Sequence, residues 1–114
     1  MRAVLRIDPP LVRDVFEHLL TEAGVEVVGS APNWLQLLMI CEERHPDVVF
    51  LMAGDSHGGD PGICSHLLSE DPHLKIVIVS TDHYAISDVG VRTLHCNDLT
   101  IASIRSSLAT LLEE

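Results

Sequence analysis

The sequence predicts an α/β domain built on a five-stranded, doubly wound parallel sheet with helices on both faces. Short β-branched or apolar runs alternate with stretches of helical periodicity along the whole chain, with no repeat, linker or low-complexity segment between them. Two of the runs, Asp47-Val48-Val49-Phe50-Leu51-Met52 and Lys75-Ile76-Val77-Ile78-Val79-Ser80, show no polar alternation. That pattern suits central parallel strands buried on both sides. Right-handed crossovers between parallel strands then place any ligand site at their carboxyl ends.

The elements follow in order. Arg2 to Ile7 is the first strand and Val25 to Ser30 the second, separated by Val12, Val15, Phe16, Leu19 and Ala23 at helical spacing. Asp8 stands as an N-cap before Pro9 and Pro10, and Gly24 stands where a helix ends in the left-handed conformation. Asn33 is placed to cap a second helix carrying Trp34, Leu37, Leu38 and Cys41, which His45-Pro46 stops. The third strand ends at Met52 and leads into the glycine-rich stretch Ala53 to Gly62, then a short helix over Ile63 to Ser69. Lys75 to Ser80 is the fourth strand and Arg92 to Cys96 a weaker fifth. Ile101, Ile104, Leu108 and Leu111 give a closing amphipathic helix, capped by Asp98 or Thr100.

Composition narrows the function. With 114 residues, 46% of them hydrophobic, the chain can bury one core, and a single domain over 1–114 is expected. Seventeen acidic against seven basic residues give a formal net charge of -10, which repels nucleic-acid phosphates and anionic membranes. Direct nucleic-acid and membrane partners are therefore not expected. The apolar run at the N-terminus is too short for a signal peptide and no stretch approaches the roughly 20 apolar residues that span a bilayer, so a cytoplasmic location is expected. Cys41, Cys64 and Cys96 are odd in number and widely spaced, and read as reduced small hydrophobes. The seven histidines are scattered without zinc-site spacing, so no metal and no cofactor is implied.

The string Asp8-Pro9-Pro10-Leu11-Val12-Arg13-Asp14 resembles the opening of response-regulator receiver domains, whose first strand usually ends in two acidic residues. The resemblance continues through Gly24 to Ala31, through His45-Pro46-Asp47-Val48-Val49-Phe50-Leu51, and through Gly62-Ile63 and Asp71 to Ser80, covering nearly the whole chain. It implies a flavodoxin-like sheet of order 2-1-3-4-5, and a subtype often followed by a helix-turn-helix domain that this sequence lacks. Counted against the family, the interval from Ser80 to Gly90 is about a helical turn short, so a shortened fourth helix is expected. Leu94 stands where the family usually has a Tyr or Phe.

A working receiver attacks phosphorus with an Asp at the end of strand 3, holds Mg²⁺ on an acidic pair after strand 1, and steadies the phosphoryl group with a hydroxyl on strand 4 and a Lys after strand 5. The resemblance carries these positions onto Ile7 and Asp8, Met52, Ser80 and Asn97. Met52 cannot form an acyl phosphate, Ile7 cannot ligate Mg²⁺, and Asn97 carries no charge. Three of the five positions have thus lost their chemistry, leaving Asp8 and Ser80.

Other readings are weaker. A register slip of three residues would make Asp55 the acceptor, but in a glycine-containing loop instead of at a strand end. Gly54 to Gly59 lacks the Gly-Lys-Ser/Thr ending of a phosphate-binding loop, and Ser80 lacks a nucleophile elbow. Asp8 reads as an N-cap or a residual ligand contact. Trp34 reads as a core-edge residue or an interface anchor. Glu42, Glu43, Glu113 and Glu114 read as solvated surface, with a docking motif for a basic partner as the weaker reading. The expected function is that of a degenerate, phosphorylation-independent receiver in bacterial signalling, not an enzyme, acting through a protein partner or a homodimer. One alternative is a small-molecule sensor that uses the remnant pocket near Asp8, Met52, Ser80 and Asn97. The other is the regulatory domain of a transcription factor without its DNA-binding part.

Overall fold

The computed structural model describes residues 1–7, 10–52, 61–80, 91–95 and 100–112. Along them run β1 (Arg2–Arg6), α1 (Pro10–Glu22), β2 (Glu26–Ser30), α2 (Trp34–Arg44), β3 (Val48–Met52), α3 (Pro61–Glu70), β4 (Lys75–Ser80), β5 (Val91–His95) and α4 (Ile101–Leu112). The five strands pair in parallel in the order β2-β1-β3-β4-β5, as the sequence predicts. The third helix is longer than expected, because Pro61 already occupies its first turn, where a missing N–H costs nothing. The shortened helix expected between β4 and β5 falls outside the described residues.

Period-two alternation divides the strand residues between two apolar layers. Ala3, Leu5 and Ile7, with Val48 and Phe50 of β3 and Val77 and Val79 of β4, meet Phe16, Leu19 and Leu20 of α1 and Ile104 and Leu108 of α4. The opposite face carries Val4, Val49, Leu51, Ile76 and Ile78 against Leu37 of α2 and Leu67 of α3. Burial on both faces is why β3 and β4 read as unbroken apolar runs. At the amino edge Asp47 ties three strands together. Its N–H donates to the Arg2 carbonyl at 2.8 Å, its carboxylate accepts from the Arg2 N–H at 2.8 Å, and its carbonyl accepts from the Lys75 N–H at 3.1 Å.

Helix ends are closed by the residues the sequence singles out. After α1, Gly24 takes φ +87 while the Val25 N–H donates to the Leu20 carbonyl at 2.9 Å and the Gly24 N–H to that of Thr21 at 3.1 Å. This is the Schellman arrangement, in which a glycine avoids the steric cost of a left-handed backbone. Asn33 caps α2 by accepting from the Gln36 N–H at 2.9 Å, and His45 ends that helix at φ 47. Thr100 caps α4, its hydroxyl accepting from the Ser103 N–H at 3.3 Å; Asp8 and Asp98 lie outside the described residues. Asn33→Ala is expected to cost about 1 kcal/mol, read from the urea midpoint, since it removes the side-chain oxygen that the Gln36 N–H donates to. An unchanged midpoint would mean the cap bond does not persist in solution.

Cys41 packs from α2 against the second apolar layer, and its burial pushes the thiol up to about 11. A thiol whose charged form is penalised by burial behaves as the small hydrophobe the sequence suggests. Iodoacetamide should therefore modify Cys41 in the folded chain about 100-fold more slowly than in the urea-unfolded chain at mildly alkaline pH, because two pKa units remove that much thiolate. Peptide mapping of the alkylated residue checks this, and equal rates would show the site to be open.

Candidate functional site at the carboxyl edge of the sheet

Parallel strands finish on one edge, and their register decides which residues meet there. Arg6 lies opposite Leu51, Met52 opposite Val79, and Ser80 opposite His95. Met52 is thus the last residue of β3 and Ser80 the last of its neighbour β4, so two of the sequence-predicted positions share the edge. Asp8, Asp55 and Asn97 lie outside the described residues. Just past β1, Ile7 is only 2% exposed and belongs to the layer formed with Phe16, Phe50 and Val79. An aliphatic side chain therefore fills the core where a carboxylate of the acidic pair would be needed.

The donor chemistry of these positions does not fit Mg²⁺. That ion demands hard oxygen ligands in near-octahedral array. Ile7 offers none, and the thioether of Met52 is a soft donor suited to other metals. Among the described residues no group of three or more His, Cys, Asp or Glu could hold a metal ion.

The same edge holds a pair that sequence reasoning found only in part. The Arg6 guanidinium carbon lies 4.9 Å from the centroid of the Trp34 ring, and Trp34 itself packs against the α2/α3 layer. A cation over an aromatic face contributes on the order of 1 kcal/mol when partly shielded, so Trp34 is a packed core-edge residue. A signal for Arg6 was available in the sequence, since alternation along β1 assigns Arg2, Val4 and Arg6 to one face, and of the two arginines Arg6 stands at the carboxyl end.

Among the described residues no helix is long and apolar enough to cross a membrane. No family model matches the chain. It is 33% identical, over an alignment of 117 positions covering 98% of its length, to an uncharacterized response regulatory protein of Vibrio cholerae, and covers 43% of that protein. It is also 29% identical over 98 residues, 82% of its length, to a protein-glutamate methylesterase/protein-glutamine glutaminase of Hahella chejuensis, covering 27% of that one. The chain therefore spans less than half the length of these relatives. Among solved structures, the isolated REC domain of RcsB from Salmonella enterica serovar Typhimurium superposes with a TM-score of 0.76 at 17% identity, covering 99% of this chain and 88% of that one. A LuxR-family two-component response regulator from Aurantimonas sp. SI85-9A1 gives 0.71 at 20% identity, covering 98% and 84%. At such identities the superpositions establish the fold. Taken with the strand order and a sequence relationship that runs over 98% of this chain to part of a response regulatory protein, they make this chain a receiver domain of the response-regulator family.

Proposed function

We propose that this receiver domain works in the cytoplasm without being phosphorylated, as a binding module of bacterial two-component signalling whose partner is a protein or a second copy of itself. The reading rests on one observation above the others: β3 ends in Met52, beside the end of β4. Phosphorylation needs an oxygen nucleophile that attacks phosphorus as the donor's leaving group departs, and a thioether has none to give. The burial of Ile7 supports it, since the position carries apolar packing instead of a metal ligand. Asn97, in place of the cation that would hold a phosphoryl group, supports it further. With nucleophile, metal ligand and cation all replaced, no catalytic step is assigned to this chain. The remaining Asp8 and Ser80 are remnants of the phosphorylation site.

The test is incubation with acetyl phosphate and Mg²⁺, and separately with beryllofluoride, followed by intact mass and melting temperature. The expected result is no mass gain and an unchanged melting temperature. A phosphoryl adduct, mapped to Asp55 or to any other carboxylate, would overturn the proposal. Sedimentation over a wide concentration range then separates the partners. A concentration-dependent dimer identifies the chain as its own partner, and a monomer throughout assigns the contact to a different protein.

A further inference from the structure

A groove of about 360 Å³ opens between α2 and α3, at the amino edge of the sheet and so at the opposite end from Met52 and Ser80. Its volume falls within the range of small-ligand pockets. Leu38, Leu67 and Leu74 supply apolar walls, and Cys41 adds a neutral thiol. Apart from the imidazoles of His45 and His66, the ionisable groups of the rim have one sign of charge. Glu42 from α2 stands on one side, Glu70 and Asp71 at the end of α3 on the other, and no lysine or arginine lines the groove.

Topology adds to that charge. In a parallel α/β sheet the helices run against the strands, so α2 and α3 both finish here, one at Arg44 and the other at Glu70. Each helix carboxyl end carries a partial negative charge from carbonyls without intrahelical partners. Carboxylates and helix ends therefore act together on a site whose walls are apolar. Anions are repelled, a neutral ligand gains only from the walls, and a cation with an apolar body gains from both.

We propose that this groove binds a small organic ammonium ion, its ring or chain seated on Leu38, Leu67 and Leu74 and its ammonium between Glu42 and Glu70. The inference does not rest on the absence of phosphorylation, because the groove and the strand-end site lie at opposite edges of the sheet.

Three compounds that share the indole ring and end their short side chains in a positive, a neutral and a negative group test it: tryptamine, tryptophol and indole-3-acetate. Amide chemical shifts of the full chain are followed as each is added. Tryptamine should move the amides of Leu38, Cys41, His66 and Leu67 and bind about tenfold tighter than tryptophol, the gain expected of two partly exposed carboxylates. Indole-3-acetate should bind more weakly than either. In the E42Q/E70Q variant, changed only at exposed positions and so expected to fold, tryptamine should fall to the affinity of tryptophol. Equal binding of tryptamine and tryptophol, shifts confined to the carboxyl edge, or an unchanged tryptamine affinity in that variant would each overturn the assignment. Nα-acetyl-lysine amide, standing in for the lysine of a partner protein, should bind more weakly than tryptamine. The reverse order would give the groove to a protein side chain and overturn the assignment to a free amine.

Discussion

Phe50→Ala is expected to remove about 3 to 5 kcal/mol of stability, a large share of the roughly 5 to 15 kcal/mol that holds a domain of this size together. Phe50 is in the middle of β3, between β1 and β4, and is 1% exposed. Its register neighbours are Leu5 and Val77, which lie in the same apolar layer, and its ring centroid is 6.4 Å from that of Phe16 on α1 at a tilted angle of 50°. Truncation loses the transfer free energy of the ring, its contact with a second aromatic ring, and the packing of a cavity whose walls are hydrogen-bonded strands. Such walls cannot collapse inward without breaking ladder bonds on both sides. Urea denaturation measures the change. A loss below about 1 kcal/mol would mean that this layer is loosely packed and that the fold depends mainly on the α2/α3 side. Leu35→Ala is the control, because Leu35 projects from α2 with 68% of its surface exposed and should change stability by less than about 0.5 kcal/mol.

The fold was legible because several independent signals agreed at each element. The runs around Val49 and Val77 marked central strands, Gly24 and Asn33 marked helix ends, and the structure uses all of them in those roles. Boundaries moved by a residue or two where local chemistry was permissive, as at Pro61, which opens α3 ahead of the expected start. The two candidate caps of the last helix could not be separated by sequence, since Asp and Thr are both good caps; the hydrogen bond from Ser103 identifies Thr100 as one that is used.

The site was less legible. Register arithmetic was enough to bring Met52 and Ser80 to one edge, because strand length and pairing fix where parallel strands finish. It could not bring Arg6 over Trp34, which depends on how α2 sits on β1. It also gave no hint of the groove between α2 and α3, because a concavity between helices is set by side-chain packing that periodicity does not encode.

Ile7→Asp should be the second most damaging single change, although it restores the residue type that a working receiver carries. The new carboxylate would enter the apolar layer of Phe16, Phe50 and Val79, where the native side chain is 2% exposed. Loss of aliphatic packing together with a desolvated charge should cost about 3 kcal/mol or more near neutral pH. The sign of the pH dependence follows from linkage. Burial raises the folded-state pKa of a carboxyl above its unfolded value of about 4, so the unfolded state ionises first and stability falls as pH rises through that value. The variant should therefore be closest to the parent in acid and furthest from it at neutral pH, which urea midpoints across pH would record. Millimolar Mg²⁺ should not restore it, because Met52 still ends β3 and supplies no oxygen ligand. If Mg²⁺ did restore stability, Asp8 and the new carboxylate would have rebuilt a metal site. The apolar packing at Ile7 would then be a reversible change in a receiver that keeps its metal-binding geometry, and Met52 and Asn97 would carry the case for phosphorylation-independent function alone.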